Sequence, residues 1–183
     1  MSSTADELSP ASLLAWYKSQ LRKRPLTTKS LSSAVIAALG ELLSSALKRQ
    51  RLSARRLLIF FAYGGLFVGP IMHWWYALLE RHCRRYGAGT YGLLLRLLGD
   101  RLIMAPPFLL GSIFFLQTLL SGSVRGGAKA AREQFASVFS SSIKLWTPAQ
   151  LVNFKLVPIE YRVLFGNLVA ILWNAFLAMK MRG

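Results

Sequence analysis

Six polar side chains stand inside stretches that are otherwise apolar: Glu41, Asp100, Arg101, Gln117, Asn167 and Asn174. A charge within an apolar helix is costly unless it faces other helices or water, so such groups are candidates for an ion or solute path. Three roles are open to the adjacent Asp100 and Arg101: neutralising each other, pairing with Glu41, or holding open a polar route. Asn167 and Asn174 are seven residues apart, which puts both on one helix face and suits hydrogen bonds between helices. The plainer role for each of the six is a polar clamp in helix packing. Arginines near a pore mouth would concentrate anionic metabolites there.

Catalytic chemistry finds little support. The chain has no Walker A sequence, no HExxH and no GxSxG. Only seven of its 183 residues are acidic, and two of these, Asp6 and Glu7, lie near the start. One cysteine, Cys83, and two histidines, His73 and His82, give no metal-ligand cluster, and no cofactor is expected. His73 reads as a hydrogen-bonded packing residue. The expectation is a protein that is not an enzyme.

What must position these side chains is a set of apolar helices. The chain is 54% hydrophobic with a formal net charge of +16. Apolar blocks divided by basic clusters describe a small polytopic membrane protein better than a soluble helical bundle. The basic excess comes with no nucleic-acid-binding motif, so the expected partner is the lipid bilayer and not nucleic acid. No secretory signal or mitochondrial presequence is legible at the start, so targeting is expected to be internal.

Ser9-Pro10 starts a helix in which Leu13, Leu14, Tyr17 and Leu21 recur at helical spacing, an amphipathic element over about 10–24. It lies on a membrane surface or packs on the protein. Four spans follow, about 26–47, 57–79, 93–120 and 159–178, each near the twenty residues needed to cross a core of roughly 30 Å. The first is rich in Ser, Ala and Gly, which let helices approach closely. The second has Gly64-Gly65 and Gly69-Pro70, so a bend or close packing is expected near its middle, and the third has Pro106-Pro107, which should bend or break it. A Gly/Ser-rich basic loop is expected over 121–129. A second amphipathic helix, about 128–145, is too polar to span and is expected in the interface. Pro148 and Pro158 each mark an expected helix start. The fold class is thus an all-α membrane protein, one domain with four transmembrane helices and two amphipathic interfacial helices. Both termini should lie on one side.

Sequence motifs carry a resemblance. Trp146, Pro148, Gln150, Asn153, Phe154, Val157, Pro158 and Arg162 are followed by Asn167, Trp173, Phe176 and Leu177. Upstream stand Gly69-Pro70, His73, Trp75 and Tyr76, and before them Pro25, Thr28, Lys29 and Ala38-Leu39-Gly40. The pattern resembles the family that holds peroxisomal membrane protein 2 and the mitochondrial Mpv-type and Sym-type membrane proteins. Asp100-Arg101-Leu102 with Ala105-Pro106 is similar to the peroxisomal branch. Gly40-Glu41 and Ser45 stand where the family usually has Gly-Asp and a later Gln, so the carboxylate is kept and the amide is lost.

The resemblance implies four spans with cytosolic termini and a poorly selective channel for small water-soluble metabolites. Homo-oligomerisation is among the expectations, as is a peroxisomal location; the alternative is an Mpv-type channel of the mitochondrial inner membrane. It also implies, as a partner, the peroxisomal membrane-protein import receptor, which binds apolar helices beside basic clusters such as 22–29 and 48–56. A non-conducting structural or adaptor protein is the second class of function. Arg162 and Trp146 are expected to serve folding and anchoring, and Glu41, Asp100 and Arg101 the solute path.

Overall fold

The computed structural model describes residues 10–87 and 89–180, with side chains over 12–87 and 89–174. The described residues form six helical rods. These are α1 (Pro10–Lys23), α2 (Pro25–Leu47), α3 (Ala54–Tyr86), α4 (Thr90–Ser121), α5 (Val124–Leu156) and α6 (Arg162–Lys180). Three of them, α2, α3 and α4, are long and apolar enough to cross a membrane. They correspond to the first three expected spans. The helix of the fourth is present as α6, which ends among residues whose side chains lie outside the described set.

α1 folds back on α2. Arg24 leaves the helical region and Pro25 opens the next helix, so the two form a hairpin closed by Tyr17 Oη and Ser32 Oγ at 3.1 Å. Leu21 is buried against the bundle, while Trp16 stays 62% exposed. Leu21 thus meets one of the two roles expected of α1, packing on the protein.

α2 and α3 run antiparallel in close contact, because their facing residues are small. A Cβ on Gly64 would lie 2.3 Å from the Ser33 carbonyl oxygen and 2.8 Å from Ala34 Cα. Backbone atoms cannot rotate away from such a group. Gly64→Ala is therefore expected to push the two helices apart and cost about 1–3 kcal/mol. Gly65→Ala, whose Cβ would lie 3.2 Å from the Ala34 methyl and 3.7 Å from the Ser30 carbonyl oxygen, should cost less. Thermal unfolding of the two variants in detergent checks the order; equal midpoints would contradict it.

α6 lies parallel to α2 on its other side. Asn167 Nδ2 donates to Ser33 Oγ at 2.7 Å, and Asn174 sits against Gly40, so the seven-residue spacing on α6 meets an equal spacing on α2. α4 packs antiparallel to α3 through Tyr63, Phe67, Phe108 and Phe115, with ring centroids 5.4–6.2 Å apart. At the far end of α3 the core gathers Tyr76, Leu79, Cys83, Phe154 and Val163.

Prolines shape both long spans, but without breaking them. A π-helical segment, Tyr63–Val68 in α3 and Gly99–Met104 in α4, stands just before Gly69-Pro70 and Ala105-Pro106-Pro107. Gly69 N–H bonds back five residues to the Gly64 carbonyl, and Ala105 N–H to that of Asp100. The wider turn absorbs the donors that proline lacks.

α5 departs most from expectation. No loop spans 121–129. Gly122 takes φ +69°, the left-handed turn that glycine permits, and Ser123 Oγ accepts from Gly126 N–H to start the helix at once. The helix then runs on through 128–145 and past Pro148, which stands inside it and does not begin a new one. Two sets of contacts hold it against α4. At one end Gly127 lies so close that an added Cβ would be 2.7 Å from the Phe114 carbonyl. At the other, Gln150 bonds to Asp100. Pro148 is exposed, so the Lys144 carbonyl freed by its missing donor lies on the outward side. Only Pro158 acts as expected, capping the short 3₁₀ turn Ile159–Tyr161 that leads into α6.

Candidate functional site

Asp100 is the centre of the buried polarity. It is 1% exposed, and the π-helical segment of α4 turns it toward α3 and α5. Oδ1 accepts from Trp75 Nε1 at 2.9 Å, and Oδ2 from Gln150 Nε2 at 3.1 Å. Arg101 closes the set, donating from Nε to Oδ2 at 3.0 Å and again from Nη2. The adjacent pair therefore neutralises itself and does not engage Glu41.

From Gln150 the network continues through amides. Gln150 Nε2 also donates to Tyr76 Oη at 3.1 Å, and Asn153 Nδ2 donates to Gln150 Oε1 at 2.8 Å. Asn153, with no exposed surface, reaches on to the Arg162 carbonyl at 3.4 Å. Gln150 and Asn153 lie three apart on α5, one turn of one face, which is why one helix supplies both.

Next to it stands a second charged cluster. Glu80 Oε1 and Oε2 accept from Arg96 at 2.9 and 3.1 Å, a two-pronged pair, and Oε2 also accepts from Arg162 Nη1 at 2.9 Å. Arg162 donates from Nε to the Val157 carbonyl, and its guanidinium lies over the Phe154 ring at 5.4 Å. Arg96 Nη1 ties down the α3–α4 turn through the Gly87 and Gly92 carbonyls at 2.9 and 3.0 Å. One carboxylate thereby joins the ends of α3, α4 and α6.

The six sequence candidates thus separate. Asp100 and Arg101 share one cluster with the motif residues Trp75, Tyr76, Gln150 and Asn153, and Arg162 links it to Glu80. Glu41 sits at the opposite end of the bundle, 3% exposed, where Oε1 accepts from Arg56 Nε at 2.7 Å and from Ser45 Oγ at 2.9 Å. Asn167 and Asn174 join α6 to α2. Gln117 is half-buried on α4 and enters neither cluster through its side chain among the described residues, although its carbonyl accepts from Ser121 Oγ at 2.6 Å. His73 packs edge-on to Trp74 with centroids 5.3 Å apart, and against the expected hydrogen bonding its buried Nδ1 has no hydrogen-bond partner among the described residues. Trp173 is buried and Trp146 half-buried.

Sequence reasoning did not single out Glu80, Arg96 or Arg56. A usable signal existed. In a chain with seven acids, each acid near the end of an apolar stretch invites a search for its arginines, and Glu41, Glu80 and Asp100 all have them.

Apolar helices locked by buried ion pairs and amides define an all-helical protein of membrane character. Residues 118–178 match the Mpv17 / PMP22 family. The chain is 35% identical to peroxisomal membrane protein 2 of Bos taurus, over 92% of this chain and 89% of that protein. It is 30% identical to protein sym-1 of Neurospora crassa, over 91% and 97%. With the mitochondrial inner membrane protein Mpv17 of Caenorhabditis briggsae the identity is 28%, over 92% of each. No solved structure matches. The chain belongs to the Mpv17 / PMP22 family of membrane proteins.

Proposed function

We propose that this chain is a poorly selective channel for small water-soluble metabolites in the peroxisomal membrane, with α6 as its fourth span. The observation that carries the reading is the charge built into both ends of the bundle. Glu41 and Arg56 stand at one end; Asp100, Arg101, Glu80, Arg96 and Arg162 stand at the other. Arginines outnumber carboxylates in these clusters, and the whole chain bears +16. A cationic mouth raises the local concentration of anionic solutes. The relative named peroxisomal membrane protein 2 supports the location, and a peroxisomal import receptor is the proposed partner for insertion.

Purified protein in a planar bilayer, between unequal salt solutions, should conduct and prefer anions. Arg101→Gln removes the exposed half of its pair, 15% accessible against 1% for Asp100, and should move the reversal potential toward cations. A silent bilayer with folded protein would sink the reading.

The buried, closely bonded network around Asn153 also favours a second reading, a non-conducting structural or adaptor membrane protein. Stoichiometric co-purification of another protein without solute flux would support it. Imaging a tagged chain separates the peroxisome from the mitochondrial inner membrane, where the Mpv17 relative's name places that protein.

A further inference from the structure

We infer that the outward face of α5 lines an aqueous lumen closed by the same face of other copies of this chain. The inference rests on the channel reading and names where the solutes pass.

The interior of a single protomer offers no route at the Asp100 level, where Tyr76, Asp100 and Asn153 are all but inaccessible. Outside, the helices differ in kind. α2 exposes Leu31, Val35 and Leu39; α3 exposes Leu58, Phe61 and Leu66; α4 exposes Leu102, Ile103 and Leu110. Those faces suit lipid. α5 exposes Lys129, Arg132, Glu133, Ser137, Ser140 and Lys144, which form one stripe.

That stripe lies at the depth of the α4 span. α5 follows α4 from Gly127, beside Phe114 and Thr118, to Gln150, beside Asp100. The α4 residues that bound this contact, from Asp100 to Phe114 and Thr118, rise about 21–27 Å, most of a hydrocarbon core. Between Asp100-Arg101 and the end of α4 at Ser121 there is no charged residue. Midway along the contact α5 presents Ser137 and Ser140, flanked by Glu133 and Lys144.

α5 is not among the helices apolar enough to cross a membrane by itself. Lys129 and Glu133, 75% and 61% exposed, are 3.9 Å apart, too open a pair to shed their hydration in lipid. A second observation agrees. Pro148 leaves the Lys144 carbonyl without its helical donor on this same exposed side, and lipid has no donor to offer. Water is the occupant that serves both, and further α5 faces are what keep lipid out.

Cysteine substitution in the full chain tests this, with the buried native Cys83 left in place. Ser140→Cys and Lys144→Cys should react with a membrane-impermeant anionic methanethiosulfonate in reconstituted vesicles. The reaction should cut bilayer conductance at least twofold, and a bismaleimide should link S140C into multiples of the monomer. Leu66→Cys, on the apolar face, should do none of these. Conductance that persists with S140C and K144C unreactive overturns the inference and leaves the channel intact. Fast labelling without block or cross-links makes α5 a surface helix and overturns it also. If the wild-type protein is silent, the channel reading fails and the lumen falls with it.

Discussion

Asp100→Ala is expected to lower the stability of the folded protein by about 3–5 kcal/mol, the usual cost of stripping one partner from a buried pair. The carboxylate serves three donors at once: the Trp75 indole, the Gln150 amide and the Arg101 guanidinium. Alanine leaves the Trp75 indole without its acceptor, takes one of two acceptors from Gln150 Nε2, and strands the Arg101 guanidinium, only 15% exposed. Asp100→Asn keeps one acceptor oxygen but turns a second N–H₂ toward existing donors, so a smaller loss of about 1–3 kcal/mol is expected. Truncating Arg101 as well should recover part of the loss, since the stranded cation goes with it. Unfolding midpoints in detergent, read through tryptophan fluorescence, measure all three variants. An unchanged midpoint for D100A would mean that the cluster does not hold the fold.

Glu80→Ala should rank beside it. Two nearly buried arginines, Arg96 and Arg162, lose their common carboxylate, and the ends of α3, α4 and α6 lose their junction. Glu80 is 28% exposed, so water reaches the site and the loss should fall toward about 3 kcal/mol. Arg96→Ala leaves the Glu80–Arg162 pair standing, so the single arginine variant should cost less than E80A. The reverse order would place the weight on the Arg96 bonds to the α3–α4 turn. Limited proteolysis near Gly87 distinguishes the two, because only loss of Arg96 frees that turn directly.

Apolar length and punctuation made the first three spans legible, and they coincide with α2, α3 and α4 to within a few residues at most ends. Helical periodicity placed Asn167 and Asn174 on one face, and the structure supplies their partners on α2. α5 was misread for a physical reason. Pro148 favoured a break, yet that judgement weighs the helix alone. Side chains from other helices, Asp100 and Tyr76 above all, fix Gln150 and Asn153 and keep α5 running. The grouping of Asp100 with Trp75 and Gln150 spans twenty-five and fifty residues of chain, and no local pattern encodes it. Arg162, expected to serve anchoring, and Asp100, expected on the solute path, belong to one connected network.

The π-helical segments have an effect beyond relieving proline. Each residue of an α-helix advances the azimuth by about 100°, so one extra residue in a turn rotates everything after it by that amount. α3 and α4 each contain such a slip, a few residues before a proline. The aromatic seam of Tyr63, Phe67, Phe108 and Phe115 and the polar seam of Trp75 and Asp100 therefore lie on azimuths that an unbroken helix would not align. The two rods stay in phase with each other because both are offset. Matching offsets let one pair of neighbouring helices present oil to oil at one level and charge to amide at another.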